Sequence, residues 1–407
     1  MPPDPDRQSR RVNVRTPEVM ERVQAEVAKH YQSSIVEKVR ARDGVLTIGN
    51  TTIRLARQFG FCYGVERAID LAYASRRVFP DNRIFLIGEI IHNPEVNRQL
   101  EAMNIVSLPW KEMDGQYDDL TPEDVVIVPA FGAPISFMDK VESRGCRTVD
   151  TTCGDVMKVW KRVRGFARDG VTSIIHGKAD HEETRATASR AAGDDGKGHY
   201  LIVLTLADVD YVCDYILNGG DSESFRARFN GAMSEGFNPD RDLVQVGVAN
   251  QTTMLKSETE EIQRRIREVI TRRDGHADNF LVFDTICGAT QERQDALFEL
   301  LKHTMNLLLV VGGYNSSNTT HLVEIGEKEL PTFFIRSAEC IVSLEEIVHY
   351  DLHRKEEISA YSAAFSTDEH VVVGITAGAS CPSNLIEEAI LKVFELRGIE
   401  ASAVHAA

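Results

Sequence analysis

Positive charge is in short supply in this 407-residue chain: 46 lysines and arginines stand against 62 aspartates and glutamates, a formal net charge of −16. That balance argues against nucleic acid or an anionic membrane surface as the main partner, and any anionic ligand must be held by a local site. Long apolar runs are missing as well. The longest, around Leu307 to Val311, is strand-sized, well short of the roughly 18 residues a membrane span needs. The opening stretch MPPDPDRQSRRVNVR is charged throughout and has no apolar core for a secretory signal, so a cytoplasmic chain is expected. There is no CxxC, which removes the usual spacing of zinc ribbons and thioredoxin-type sites. No GxGxxG follows a strand and no GxxxxGK[ST] occurs, which leaves a nicotinamide-dependent oxidoreductase or a P-loop enzyme without its phosphate-binding turn. Seven cysteines, an odd number in a long chain without a secretory signal, do not make a disulfide framework.

What is present is a repeat. TTIRLARQFGFCYGVERAIDLAYAS surrounds Cys62, RTVDTTCGDVMKVWKRV surrounds Cys153, and NFLVFDTICGATQERQDALFELL surrounds Cys287. Each reads as a short strand, a cysteine and then a helix of 3.6-residue period. Gly64, Gly154 and Gly288 follow where a tight strand-to-helix turn would want them. Each thiol would sit at a helix N-terminus, where the dipole and the free N–H groups favour the thiolate. Behind each helix comes a strand ending in a polar loop (RIFLIGEIIHNPEV, TSIIHGKADHEET, NLLLVVGGYNSSN). A second strand follows, then a third that opens through a small-residue loop into a helix (VVIVPAFGAPIS, VQVGVANQTTM, VVVGITAGAS). Strands alternating with helices imply parallel βαβ units, whose ligand loops lie at the strands' carboxyl ends.

The fold class expected is therefore α/β, with three pseudo-equivalent α/β domains in a trefoil-like ring. The expected domains are residues 46–152, completed by 383–407; 153–286, with an insertion near 218–242; and 287–382. The C-terminal helix is expected to pack back onto the first domain. Residues 1–45 are an N-terminal extension whose charged helical run covers the body. Three equivalent thiolates suit a metal site with one open position, or a cubane iron–sulfur cluster with one iron left without a protein ligand. Three buried cysteines inherited from a duplication are the plain alternative.

From about residue 48 to about residue 396 the chain resembles the 4-hydroxy-3-methylbut-2-enyl diphosphate reductase (LytB) family, and the phenylalanine in PAFGAP places it near the plant and cyanobacterial branch. The resemblance rests on the ordered motifs FCYGVERAI, GEIIHNPEV, DTTCGDVMKV, HEET, NQTT, DTICGAT, NSSN and GITAGAS. It implies the last step of the methylerythritol phosphate route to isoprenoids: reductive removal of an allylic hydroxyl, giving isopentenyl and dimethylallyl diphosphates. It also implies one [4Fe-4S] cluster at the centre of the three lobes with Cys62, Cys153 and Cys287 as its three cysteine ligands. A ferredoxin- or flavodoxin-type electron donor is implied too; homo-oligomer formation is left open. A non-catalytic iron–sulfur sensor or diphosphate-binding regulator is the competing class. It would keep the cysteines and need no catalytic acid.

The resemblance assigns the remaining loops. Glu183 in HEET is the proton donor, and Thr252 in NQTT is the hydroxyl partner of substrate and acid, with Thr253 the alternative. His92, His181, Ser316, Ser317, Asn318 and Ser380 bind the diphosphate. Taken alone, the serines and asparagine are ordinary helix caps, the glutamate an ordinary solvated carboxylate and the histidines ordinary loop residues. Many family members carry a third histidine where this chain has Phe131, and His176, Lys178 or Arg185 are candidates to compensate. Cys381, beside Ser380, reads as a packing residue.

Overall fold

The computed structural model describes residues 10–110, 117–193, 196–283, 286–361 and 369–407, so the first nine residues of the expected extension lie outside the described residues. The backbone sorts into two compact units. Met1–Val14, Val78–Ile90 and Met103–Cys287 form the first; Arg15–Arg77, Ile91–Ala102 and Gly288–Ala407 form the second.

The first unit carries two parallel four-stranded sheets. One runs Ile105–Leu108, Ile84–Ile87, Val125–Val128, Arg147–Asp150. The other runs Tyr200–Val203, Thr172–His176, Val246–Asn250, Phe280–Val282. In the second unit the parallel order is Thr332–Ile335, Leu307–Val311, Val371–Ala377, Thr51–Leu55, edged by the antiparallel strand Val45–Ile48. All three sheets share one order: second strand, first, third, then the strand that leads to a cysteine. This is the repeat of the sequence expressed as hydrogen bonding, and the fold is α/β throughout. The central strands are apolar runs because both faces are covered: Val125–Val128 and Leu307–Val311 are buried at every position. Helices Tyr63–Val78, Gly154–Arg168 and Gly288–Leu301 each begin on the residue after a cysteine.

The seam of the repeat differs from the grouping expected. The strand before Cys62 does not open the sheet of the first repeat; Thr51–Leu55 pairs with Val371–Ala377, Val371 opposite Thr51. A buried parallel strand needs a partner along each edge, and Leu307–Val311 covers only one edge of Val371–Ala377. The C-terminal helix Ser383–Leu396 packs on the extension, which is two helices rather than one run: Pro17–Tyr31 and Ser34–Arg40. The break comes at Ser33, whose hydroxyl accepts the Val36 N–H at 2.9 Å and starts a new helix. In the first unit, residues 10–12 extend the edge of the Arg147–Asp150 strand, with the Val12 N–H on the Thr148 carbonyl at 2.9 Å.

Within the expected insertion lie helices Ser222–Arg228 and Pro239–Asp242. Their role is packing. Phe225, Phe229 and Phe237 join Val209, Val212 and Tyr215 in a core cluster against Leu201 and Val246. Phe225 has no exposed surface and sits 4.9 Å, centroid to centroid, from both Tyr215 and Phe229. Truncating so enclosed a ring loses its transfer energy and leaves a cavity, so Phe225→Ala should lower stability by about 3–5 kcal/mol. Denaturant unfolding of the variant is the check.

Candidate active site

Each cysteine of the repeat is tied down by its own N–H. Cys153 donates to the carbonyl of Ala130 at 3.0 Å, Cys287 to Thr252 at 3.3 Å and Cys62 to Ala379 at 3.2 Å. The three acceptors are equivalent. Each lies two residues beyond the third strand of its repeat, after Val128, Asn250 and Ala377. Sequence reasoning found the cysteines but not these partners, because a backbone carbonyl carries no residue-type signal.

The seven cysteines, none in a disulfide, divide by environment. Cys146, Cys213, Cys340 and Cys381 are buried, whereas Cys62, Cys153 and Cys287 are partly exposed. The glycines beside them act differently from the turn residues expected. Gly154 and Gly288 have no positive φ, and a Cβ on either would meet nothing within 4 Å. They leave open room at the start of their helices instead. Asp155, in the first turn after Cys153, hydrogen-bonds Lys158 at 2.7 Å and is also bonded by the Cys287 thiol. Burial works to raise this carboxyl, but those two hydrogen bonds and the Lys158 charge together hold it below its usual range. Partly exposed thiols at helix N-termini have the chemistry of iron–sulfur ligands.

In the first unit, Glu183 lies in the opening turn of helix Glu182–Ala191 and is 2% exposed. The Thr252 N–H donates to its Oε1 at 2.5 Å and the Thr252 hydroxyl to its Oε2 at 3.0 Å. Thr252 is therefore the residue on the acid. Thr253 instead accepts from Gln251 Nε2 at 2.8 Å, while Gln251 Oε1 receives the Lys178 N–H and the Thr184 hydroxyl. A buried amide thus staples the NQTT loop to the loop before HEET, a role that residue type did not announce. His181 caps the helix: its Nδ1 accepts the Glu183 N–H at 3.2 Å. That leaves Nε2 to carry the ring proton in the neutral form. Phe131 meets the His181 ring edge-on, centroids 5.8 Å apart at 77°. Its loop is fixed by Gly132, where φ is +76° and a Cβ would come within 2.2 Å of the Trp160 ring. His176, a candidate replacement for the third histidine, is fully buried with Nδ1 on the Thr259 hydroxyl at 2.8 Å, a structural role. Lys178 is half-buried and Arg185 is exposed.

The second unit repeats the motif with other chemistry. Asn318 occupies the same second position of its helix, Ser317–Gly326, and its Oδ1 accepts the Ala379 N–H at 2.8 Å. Its Nδ2, buried, finds no partner among the described residues. Ser316 caps that helix, and Ser380 Oγ donates to the His92 carbonyl at 3.1 Å and lies 3.4 Å from Ser316 Oγ. Asn315 Nδ2 stands 3.2 Å from His92 Nδ1. Close approach is built in, since a Cβ on Gly313 would fall 2.5 Å from the His92 carbonyl oxygen. Ser317, 2% exposed, opens the helix. A helix N-terminus with an orphaned amide donor and hydroxyls around it has the donors that an anion site needs. Cys381 is fully buried and burial raises its thiol, in keeping with a packing role.

The sequence model of the LytB protein family matches residues 53–394. The chain belongs to the LytB protein family. The LytB relatives include the 4-hydroxy-3-methylbut-2-enyl diphosphate reductase of Gloeobacter violaceus, 47% identical over 93% of this chain and 91% of that one. Enzymes of the same name from Thermosynechococcus vestitus (47%, over 93% of each chain) and Cyanothece sp. (48%, over 90% of each) match as well. Among solved structures, the (E)-4-hydroxy-3-methyl-but-2-enyl diphosphate reductase described as terminal enzyme of the non-mevalonate pathway superposes with a TM-score of 0.52. It is 24% identical, over 84% of this chain and 99% of that one. The Plasmodium falciparum enzyme gives 0.58 at 21% identity, over 83% of this chain and 86% of that one. At those identities the structural likeness speaks for the fold. No described helix of this LytB chain is long and apolar enough to cross a membrane.

The environments of the cysteines predict their reactivity. Burial pushes the Cys146 thiol up to about 11 and the Cys213 thiol up to about 12, and only the thiolate is nucleophilic. In iron-free protein near pH 8, iodoacetamide should label Cys62, Cys153 and Cys287 well before Cys146, Cys213 and Cys381. Peptide mass spectrometry over a time course reads the order.

Proposed function

We propose that this chain reduces (E)-4-hydroxy-3-methylbut-2-enyl diphosphate to isopentenyl and dimethylallyl diphosphates, the last step of the methylerythritol phosphate route. The observation that carries the reading is the buried Glu183 carboxylate held by both the N–H and the hydroxyl of Thr252, whose own carbonyl holds the N–H of Cys287. A non-catalytic sensor has no use for such a pair.

The reaction breaks an allylic C–O bond and consumes two electrons and two protons, one of which leaves with the hydroxyl as water. Cys62, Cys153 and Cys287 would hold one [4Fe-4S] cluster, which when bound would supply the electrons and Lewis acidity. Glu183 gives the proton to that hydroxyl. Thr252 serves it in both states, because a hydroxyl can donate to a carboxylate and can accept from a carboxylic acid. His181 presents Nε2–H to the diphosphate with its Nδ1 committed to the helix cap, and the edge of Phe131 stands in place of a further donor. His92, Ser316, Ser317, Asn318 and Ser380 take the rest of the anion. These donors are neutral or helix-terminal, which suits an acidic chain that must hold a diphosphate locally. The electrons come from a ferredoxin- or flavodoxin-type partner.

Glutamine in place of Glu183 keeps the shape and hydrogen bonds yet has no proton to give. General acid catalysis is typically worth 10²–10⁴-fold, so Glu183→Gln should lose about that much turnover while keeping its iron and its substrate affinity. Glu182→Gln should be far milder. Anaerobic assays at matched iron content decide it, and near-normal turnover by Glu183→Gln would move the acid role elsewhere.

A further inference from the structure

The hairpin Glu346–Asp351 and Glu356–Tyr361 stands outside the three-sheet repeat. It packs beside the edge strand Thr332–Ile335 through ring contacts, Phe333 with His349 at 5.3 Å and Phe334 with Tyr350 at 6.1 Å. Tyr350 and Glu357 are directly opposite each other across its two strands. Both grip the same residue. The Tyr314 ring stacks on Tyr350, centroids 4.7 Å apart at 20°, and its hydroxyl donates to Glu357 Oε1 at 2.9 Å. Phe334 closes the other side, edge-on at 5.0 Å, and Arg336 lies 3.6 Å from the same Glu357 oxygen.

Tyr314 belongs to the loop between Gly313 and Ser316 that approaches His92 and Ser380. Its neighbour Asn315 reaches His92, and Ser316 caps the helix and lies beside Ser380. While those side chains face the anion site, Tyr314 is committed to the hairpin. Burial, with Cys340 and Glu357 close by, raises its phenol far above the ordinary value, so it remains a donor at any working pH.

We propose that the hairpin is a brace for the anion-binding loop: Tyr350 and Glu357 clamp Tyr314 and so preset Asn315, Ser316 and His92 for a diphosphate group. The proposal rests on reading that loop as the diphosphate site. Tyr314, Tyr350 and Glu357 are positioning residues. They touch no substrate, and their effect is to spare the loop an ordering step when the anion binds. Binding lost this way is lost equally from ground and transition states, so KM should rise with kcat unchanged.

The test is calorimetric titration of the iron-loaded protein with inorganic diphosphate under anaerobic conditions, together with steady-state kinetics on the allylic substrate. Tyr314→Phe removes one oxygen and keeps the ring, so it preserves the fold even where Tyr350→Leu does not. Tyr314→Phe and Glu357→Ala should each weaken diphosphate binding and raise KM by about 3- to 10-fold, with kcat within about twofold. Because both remove one hydrogen bond, the double variant should be no worse than either single one. Tyr350→Phe should restore what Tyr350→Leu loses, and Tyr361→Ala, at an exposed hairpin end, should behave as the unaltered protein. Unchanged affinity in Tyr314→Phe and Glu357→Ala, or a fall in kcat in place of the KM change, overturns the brace. Failure of the unaltered protein to bind diphosphate overturns the reading of the loop, and the brace with it.

Discussion

One backbone N–H, two residues beyond the third strand of each repeat, decides what each repeat contributes. In all three the carbonyl of that residue holds a cysteine N–H, which ties the cysteine to that loop. The N–H of the same residue has three different uses. At Thr252 it holds a carboxylate, Glu183; at Ala379 it holds an amide oxygen, Asn318; at Ala130 it is satisfied by a backbone carbonyl, Ile90. A buried N–H must be paired, and its partner is a carboxylate in one repeat, an amide oxygen in another and a backbone carbonyl in the third.

That choice also sets the charge at each matched position. A carboxylate at the Asn318 position would face a diphosphate with like charge beside a helix N-terminus. The amide satisfies the Ala379 N–H with its oxygen and leaves two N–H donors for the anion. At the matched position of its own helix, Glu183 is a carboxylate instead. The hydroxyl of Thr252 is the additional feature that Ala379 lacks, and it lets the acid be held in either protonation state. The three repeats share one frame, and side-chain differences at matched positions tell them apart.

Much of this was legible in the sequence because it depends on residue type and period. Apolar strand, cysteine, then helix is visible three times, and the structure places each cysteine directly before its helix. What stayed hidden depends on pairing. Thr51–Leu55 reads as an opening strand, and only the free edge of Val371–Ala377 shows that it closes the last sheet instead. Thr252 and Thr253 are indistinguishable as letters; the direction each side chain takes from the loop tells them apart. Gly154 and Gly288 look like turn residues but lie in helical turns with room beside them. The hairpin was missed even though EIVHYD and EEISAY have strand-like alternation around a turn at Lys355, where φ is +59°. Its value lies in contacts with Tyr314, far away in sequence.

We propose that these loops perform a reductive dehydroxylation with an iron–sulfur centre. The most direct measurement is anaerobic incubation of iron-loaded protein with (E)-4-hydroxy-3-methylbut-2-enyl diphosphate and a chemical reductant, with products resolved by chromatography. Isopentenyl and dimethylallyl diphosphates should form, in amounts that scale with bound iron. Substrate recovered unchanged from protein carrying a full complement of about four irons per chain would contradict the account.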